Sequence, residues 1–212
     1  SLGEYLTGLT AWRPGRLAKG TLAMTAGMGL RTIAQSIVFL IVARVLGIAD
    51  YGAYAAVLAL STVFACFSGW GTQGLMVRDV SRQPERFPAA WGRTLTAIVI
   101  SSPLLFAAYM AFAWALLPAS VSLSAIALIG LADLIFAPIG LSAITAYQGH
   151  DRLGRAAHLS LVPVLPRLAG ALALLPLALV LPAVLRLTAW AFLYALGALA
   201  ATLYAWRMVR RD

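Results

Sequence analysis

The chain has 212 residues, of which 62% are hydrophobic and only 11% charged, with mean hydropathy +0.89 and a formal net charge of +9. Soluble domains run roughly 45–50% apolar and 25% charged, so these proportions exclude an ordinary soluble domain and indicate an integral membrane protein. The positive balance does not point to nucleic acid, because the placement of basic residues in loops between apolar runs accounts for it.

In chain order, residues 1–19 read as a cytoplasmic segment carrying Arg13, Arg16 and Lys19. Six apolar stretches follow, each able to cross a hydrocarbon core of roughly 30 Å as a helix of about 20 residues. The first runs from about Gly20 to Ala43. It is too long for a signal-peptide core and lacks a convincing cleavage site, so it reads as a span. The others run from about Tyr54 to Val77, Arg93 to Leu117, Val121 to Tyr147, Ala157 to Leu181 and Leu187 to Arg207, leaving 208–212 as a cytoplasmic end. Backbone in lipid must satisfy its own hydrogen bonds, and these runs are too continuous to alternate as barrel strands do, so helices are forced. Turn formers and charges gather where the runs stop: Gly47 to Gly52, Arg78 to Gly92, Pro118 to Ser120, Gly149 to Gly154 and Pro182 to Arg186. Without a linker or low-complexity tract, the expectation is one all-α domain over 20–207. The chain starts at Ser1, as a processed, cloned or fragmentary sequence does.

Basic residues in short loops set orientation. Arg13, Arg16, Lys19, Arg78, Arg82, Arg86, Arg93, Arg152, Arg155, Arg207, Arg210 and Arg211 fall on one side, against Arg44 and Arg186 on the other. The first side is therefore expected to be cytoplasmic, with both termini on it.

Three charges remain inside spans: Arg31 in the first, Asp133 in the fourth and Arg167 in the fifth. A charge at a helix centre costs roughly 2.5–3.5 kcal/mol on insertion scales, so these side chains should face a bundle interior or a wet cavity. Gly27, Arg31 and Gln35 share one helical stripe, and Ser160, Pro163, Arg167 and Gly170 share another. Around Asp133, the small residues Gly130, Ala137 and Gly140 would let another helix approach closely. One arginine could pair with Asp133 simply to make insertion bearable and fix packing. Two arginines against one aspartate still leave a positive centre, and the planar guanidinium fork suits phosphate.

Prolines 163, 166 and 176 interrupt the fifth span, and Pro103 and Pro138 the third and fourth. Broken membrane helices are tolerated where a cavity or neighbouring helices satisfy the freed backbone, as at transporter substrate sites, although prolines are common in membrane helices generally. Other patterns carry less. Gly69, Gly71 and Gly74 spell GxGxxG but follow no strand, so close packing or flexibility at a helix end fits better than a dinucleotide site. Cys66 is alone and reads as a packing residue within the second span. His150 and His158 lack the partners of a zinc site, so no metal or other cofactor is expected. No catalytic constellation is present, so the chain is not expected to be an enzyme. Trp12, Trp70, Trp91 and Trp206 sit at span ends as interfacial anchors do.

The segment GMGLRTIAQSIVFLIVARVLGIADYGAYAAVLAL, followed by GWGTQGLMVRDVSRQPE, resembles the opening helices of polysaccharide and O-antigen flippases in the multidrug/oligosaccharidyl-lipid/polysaccharide exporter superfamily. Such proteins commonly show an Arg, a Leu-Gly and a Tyr-Gly at the first external turn, matched by Arg44, Leu46, Gly47, Tyr51 and Gly52. The match covers about residues 20 to 95 and rests beyond that on helix number and charge pattern.

This resemblance implies a multi-pass protein of the bacterial inner membrane that moves undecaprenyl-pyrophosphate-linked sugar units outward for surface polysaccharide such as lipopolysaccharide. Related flippases have two six-helix lobes around a cationic cavity opening alternately to each side. In that setting Arg31, Arg167 and Gln35 would contact the anionic substrate, and Asp133 would pair or gate. Family members have twelve or more spans, so the chain looks like the N-terminal lobe, needing a second six-helix lobe from the same or a partner chain. A polysaccharide polymerase and glycosyltransferases are possible further partners. Two alternatives stay open: a drug or cation antiporter lobe of the same fold, and a non-transporting scaffold of glycan synthesis that binds through the Arg78 to Arg93 loop.

Overall fold

The computed structural model describes residues 16–211, with side chains from residue 25 onward. Trp12, Arg13 and most of the expected cytoplasmic segment 1–19 lie outside the described residues, as do residue 212 and the side chains of Arg16 and Lys19. Among the described residues 91% are helical and none is in a strand, as a backbone sealed from water requires. Five helical stretches are long and apolar enough to cross a membrane: Thr25–Ala65, Pro84–Leu116, Leu123–Gly149, Leu153–Val180 and Ala183–Arg211.

The first stretch belongs to α1, Arg16–Ala65, which is two helices joined at Gly47. Its 41 residues would extend roughly 60 Å if straight, about twice a bilayer core. Gly47, at φ 79° and ψ 175°, breaks it into arms 16–46 and 48–65. The break brings Phe39 of the first arm edge to face with Tyr51 of the second, 5.1 Å between ring centroids. The turn expected over Gly47 to Gly52 is thus a single residue, because Asp50 suits the electropositive first turn of the second arm and Tyr51 packs back on the first. Gly47 occupies backbone space that is essentially glycine-only, and a Cβ there would touch nothing within 4 Å. Gly47→Ala should therefore cost about 1–3 kcal/mol through backbone strain alone. Thermal unfolding in detergent measures it, and an unchanged midpoint would show that the arms need no such joint.

The second arm ends at Ala65, not at the expected Val77. Gly69, Trp70 and Gly71 are consecutive left-handed residues, which no right-handed helix accommodates. The Gly69 N–H donates to Ser101 Oγ at 3.0 Å, so the GWGTQG run is a turn packed on the next span. It starts a short amphipathic helix, α2 (Thr72–Arg82), with Met76 and Val80 buried and Arg78 and Arg82 exposed.

The remaining helices are α3 (Phe87–Leu116), α4 (Leu123–Gly149), α5 (Leu153–Val180) and α6 (Ala183–Arg211). α3 starts six residues before the expected Arg93, and α5 is interrupted at Val162 and Pro163, where a proline withholds its N–H. The first arm of α1 lies along α5, with Gly27 beside Ala157, and α6 packs against α4, α5 and the second arm. Tyr109, Ile129, Leu134, Leu174 and Trp190 fill the main core. Leu104, Trp114, Leu179 and Val180 point outward, as surfaces facing lipid do.

α2 is tied down by packing and by charge. Gly149 of α4 lets Val80 approach, and Asp79 accepts from Arg78 at 3.2 Å and from Arg93 of α3 at 3.1 Å. Hydrogen bonding to Arg78 first, then to Arg93, holds the half-buried Asp79 carboxyl below its ordinary value. A depressed folded-state pKa stabilises above the unfolded carboxylate range, near about pH 4, and that stabilisation is lost as pH falls through the lowered value. Intrinsic-rate-corrected hydrogen exchange across α2 should therefore accelerate below the carboxylate range while α6 does not respond. Equal responses would remove the charge tie from the account.

Candidate functional site

Pro138 and the turn before it shape the centre of the bundle. Residues Ala132–Phe136 of α4 form a π-helical turn, a widened segment often found where a helix carries function. Pro138 has no N–H for the carbonyl four residues back, so the Leu134 carbonyl accepts instead from Ser102 Oγ of α3 at 2.7 Å. The Phe136 carbonyl accepts from Thr202 Oγ1 of α6 at 2.8 Å, and the Pro138 carbonyl from Gln73 Nε2 of α2 at 3.2 Å. Neighbouring helices thus hold the widened turn, and Asp133 projects from it.

Asp133 is engaged at both oxygens. Ser61 Oγ of α1 donates to Oδ2 at 2.6 Å, and the Tyr194 hydroxyl of α6 donates to Oδ1 at 2.7 Å. That same hydroxyl accepts from Arg167 Nη2 of α5 at 2.8 Å, while the guanidinium lies 4.5 Å from the centroid of the Tyr194 ring. Arg167 Nε is buried with no hydrogen-bond partner. Neither Arg167 nor Arg31 makes an ion pair with Asp133 among the described residues, so the pairing open at the sequence level is replaced by a relay through tyrosine.

Two cavities meet at this cluster. One, of about 390 Å³, lies toward the Gly47 end and is walled by Gln35, Phe39, Tyr51, Tyr54, Trp190 and Tyr194. The other, of about 440 Å³, opens toward α2 and is lined by Arg31, Cys66, Ser68, Gln73, Ser160 and Thr202. Asp133 and Arg167 line both, together with Ala65, Ala137 and Val164. The stripe of Gly27, Arg31 and Gln35 is therefore divided: Gly27 packs on α5, Arg31 faces the cavity at the α2 end, and Gln35 faces the one at the Gly47 end. Arg31 is exposed and has no hydrogen bond or ion pair among the described residues. On the fifth span Ser160, Pro163 and Arg167 line the α2-end cavity, whereas Gly170 packs against Leu193 and Trp190.

The Gly47-end cavity is the more aromatic. Phe39, Tyr51, Tyr54, Trp190 and Tyr194 form a row with successive centroid separations of 5.1, 5.9, 6.0 and 6.1 Å. This row links the turn motif to Arg167. Of that motif, Arg44 is exposed, Leu46 is buried and Gly52 stands in open space, so Gly47 and Tyr51 do the shaping.

Several expectations are corrected in detail. Cys66, expected to pack within the second span, is exposed beyond the end of the helix and borders the α2-end cavity. His150 Nδ1 lies 2.9 Å from the Ala146 carbonyl, and His158 Nε2 lies 3.1 Å from the Tyr204 hydroxyl. Trp91 and Trp206, read as interfacial anchors, also contact each other, their tilted rings 5.9 Å apart between centroids. Tyr194 and Ser61 were not singled out in the sequence, because one tyrosine or serine in an apolar run is ordinary. Matching Tyr194 to the depth of Asp133 and Arg167 is the signal that could have found it.

Long apolar helices enclosing a polar cluster of Asp133, Tyr194 and Arg167, with Arg31 lining one of its two cavities, define a multi-pass helical membrane protein. Residues 17–212 match the family described as Polysaccharide biosynthesis protein, and the chain belongs to that family. No curated protein and no solved structure matches the chain. Family membership places the protein in polysaccharide biosynthesis, and the matched region extends well past residues 20 to 95, where the flippase resemblance is carried.

Proposed function

We propose that this chain is a lobe of a flippase that moves undecaprenyl-pyrophosphate-linked oligosaccharide across the bacterial inner membrane for surface polysaccharides, O-antigen among them. The observation that carries the proposal is Arg167, a mid-bundle guanidinium lining cavities at both ends of the lobe with a buried, unpaired Nε. A group reached from both sides suits alternating access, and an arginine fork suits phosphate oxygens. Arg31, without a partner among the described residues at the α2 end, supplies a second cationic contact on the cytoplasmic side. Gln35 adds a hydrogen-bonding amide on the other.

In this proposal the two arms of α1 count as two spans, giving six with α3 to α6 and placing both termini in the cytoplasm. A second six-helix lobe, in the same or a partner chain, forms the opposite wall of the pathway. The protein transports without catalysing covalent chemistry. A cation antiporter is disfavoured, because both Asp133 oxygens already accept from hydroxyls and Arg167 shares the cluster.

The test uses the complete two-lobe protein in cells. Arg167→Ala and Arg31→Ala should each abolish surface polysaccharide on immunoblots while membrane protein levels hold. Arg167→Lys, which keeps the charge and loses the fork, should retain part of the export. Normal export by both alanine variants would sink the proposal.

A further inference from the structure

Asp133 and Arg167 belong to one cluster, yet they do not touch as an ion pair. Opposite charges in a low-dielectric interior attract strongly, and a bidentate carboxylate–guanidinium pair is their usual arrangement. Such a pair would neutralise the guanidinium and occupy the edge that a bidentate anion would use. Here the Tyr194 hydroxyl stands between them, donating to Asp133 at 2.7 Å and accepting from Arg167 at 2.8 Å. Ser61 occupies the other carboxylate oxygen. Tyr194 is itself fixed, being 5% exposed and packed on the fully buried Trp190. Its ring also lies under the guanidinium, which holds the plane of Arg167 while Nε stays without a partner.

We infer that Tyr194 is a positioning residue that keeps Arg167 available to an anion, by preventing its collapse onto Asp133. The anion is a phosphate or diphosphate group, an identity that rests on the flippase proposal. Tyr194 shares the charge of Asp133 with Arg167 through its hydroxyl, so the arginine is partly compensated without being consumed. Because Arg167 lines both cavities, the same guanidinium serves an anion arriving from either end.

The experiment is equilibrium binding of inorganic pyrophosphate to the full chain in lipid nanodiscs. Tyr194→Phe removes only the hydroxyl and should weaken binding by about tenfold, the size of one charge-assisted hydrogen bond. Adding Asp133→Asn removes the competing carboxylate and should restore wild-type affinity, which a merely structural tyrosine would not allow. Asp133→Asn alone should bind at least as tightly as wild type, and this measurement stands even if Tyr194→Phe folds poorly. Unchanged affinity in Tyr194→Phe, failure of the double variant to recover, or weaker binding by Asp133→Asn would each overturn the inference. Wild-type affinity in Arg167→Ala, or no binding by the unaltered chain, would instead remove the anion site itself and with it the proposed role of Arg167.

Discussion

Gly130→Leu should destabilise the bundle by about 3 kcal/mol or more, at or above the usual range for overpacking. A Cβ built on Gly130 falls 2.5 Å from Tyr109 Cε1 and 3.0 Å from Phe106 Cε2 of α3. Tyr109 has no room to yield, since it is fully buried and its hydroxyl donates to the Ile126 carbonyl at 3.1 Å. Moving the ring would break that bond and strand a buried polar atom, which adds to the steric cost. Gly154→Leu is the control, because a side chain there meets nothing within 4 Å. Thermal unfolding of both variants in detergent decides the matter. Equal midpoints would show that the seam between α3 and α4 is loose and that Gly130 is not what brings these helices together.

The same glycine shows how much was legible in the sequence. Hydropathy alone located the long helices, because lipid permits no other use of such runs, and the small-residue stripe around Asp133 announced a close approach. It did not say to which helix: Gly130 receives Tyr109 of α3, Gly140 faces Thr202 of α6, and Ala137 lines both cavities. The end of the second span was misplaced at Val77, since Leu75, Met76 and Val77 look apolar enough to continue a span, while three left-handed residues at Gly69 to Gly71 stop it. Only the backbone reveals that stop, because Trp70 is an unusual residue to find left-handed. At the site, burial cost identified Arg31, Arg167 and Asp133 as the charges of interest, but one-dimensional depth could not choose between Arg31 and Arg167 as the partner of Asp133. The choice was made by two uncharged hydroxyls, Ser61 and Tyr194, whose value depends wholly on what faces them.

Asp133→Leu should be among the most damaging single changes in the molecule, costing about 3–5 kcal/mol, the range for stripping one partner from a buried charge cluster. The Ser61 and Tyr194 hydroxyls would lose their acceptor, and Arg167 would keep its charge with no acidic partner linked to it. Asp133→Asn should cost much less, because the amide keeps the shape and one acceptor oxygen. The informative variant is the double, Asp133→Leu with Arg167→Leu. Replacing a buried charge pair by apolar residues is often close to neutral, so the double should be more stable than Asp133→Leu alone, an interaction energy of roughly 1–3 kcal/mol in a double-mutant cycle. Such coupling would show that the two charges sense each other without a direct ion pair, across the low-dielectric interior and the Tyr194 hydroxyl that bridges them. Strict additivity would mean that each charge is solvated independently of the other, and that the tyrosine relay holds geometry without carrying energy between them.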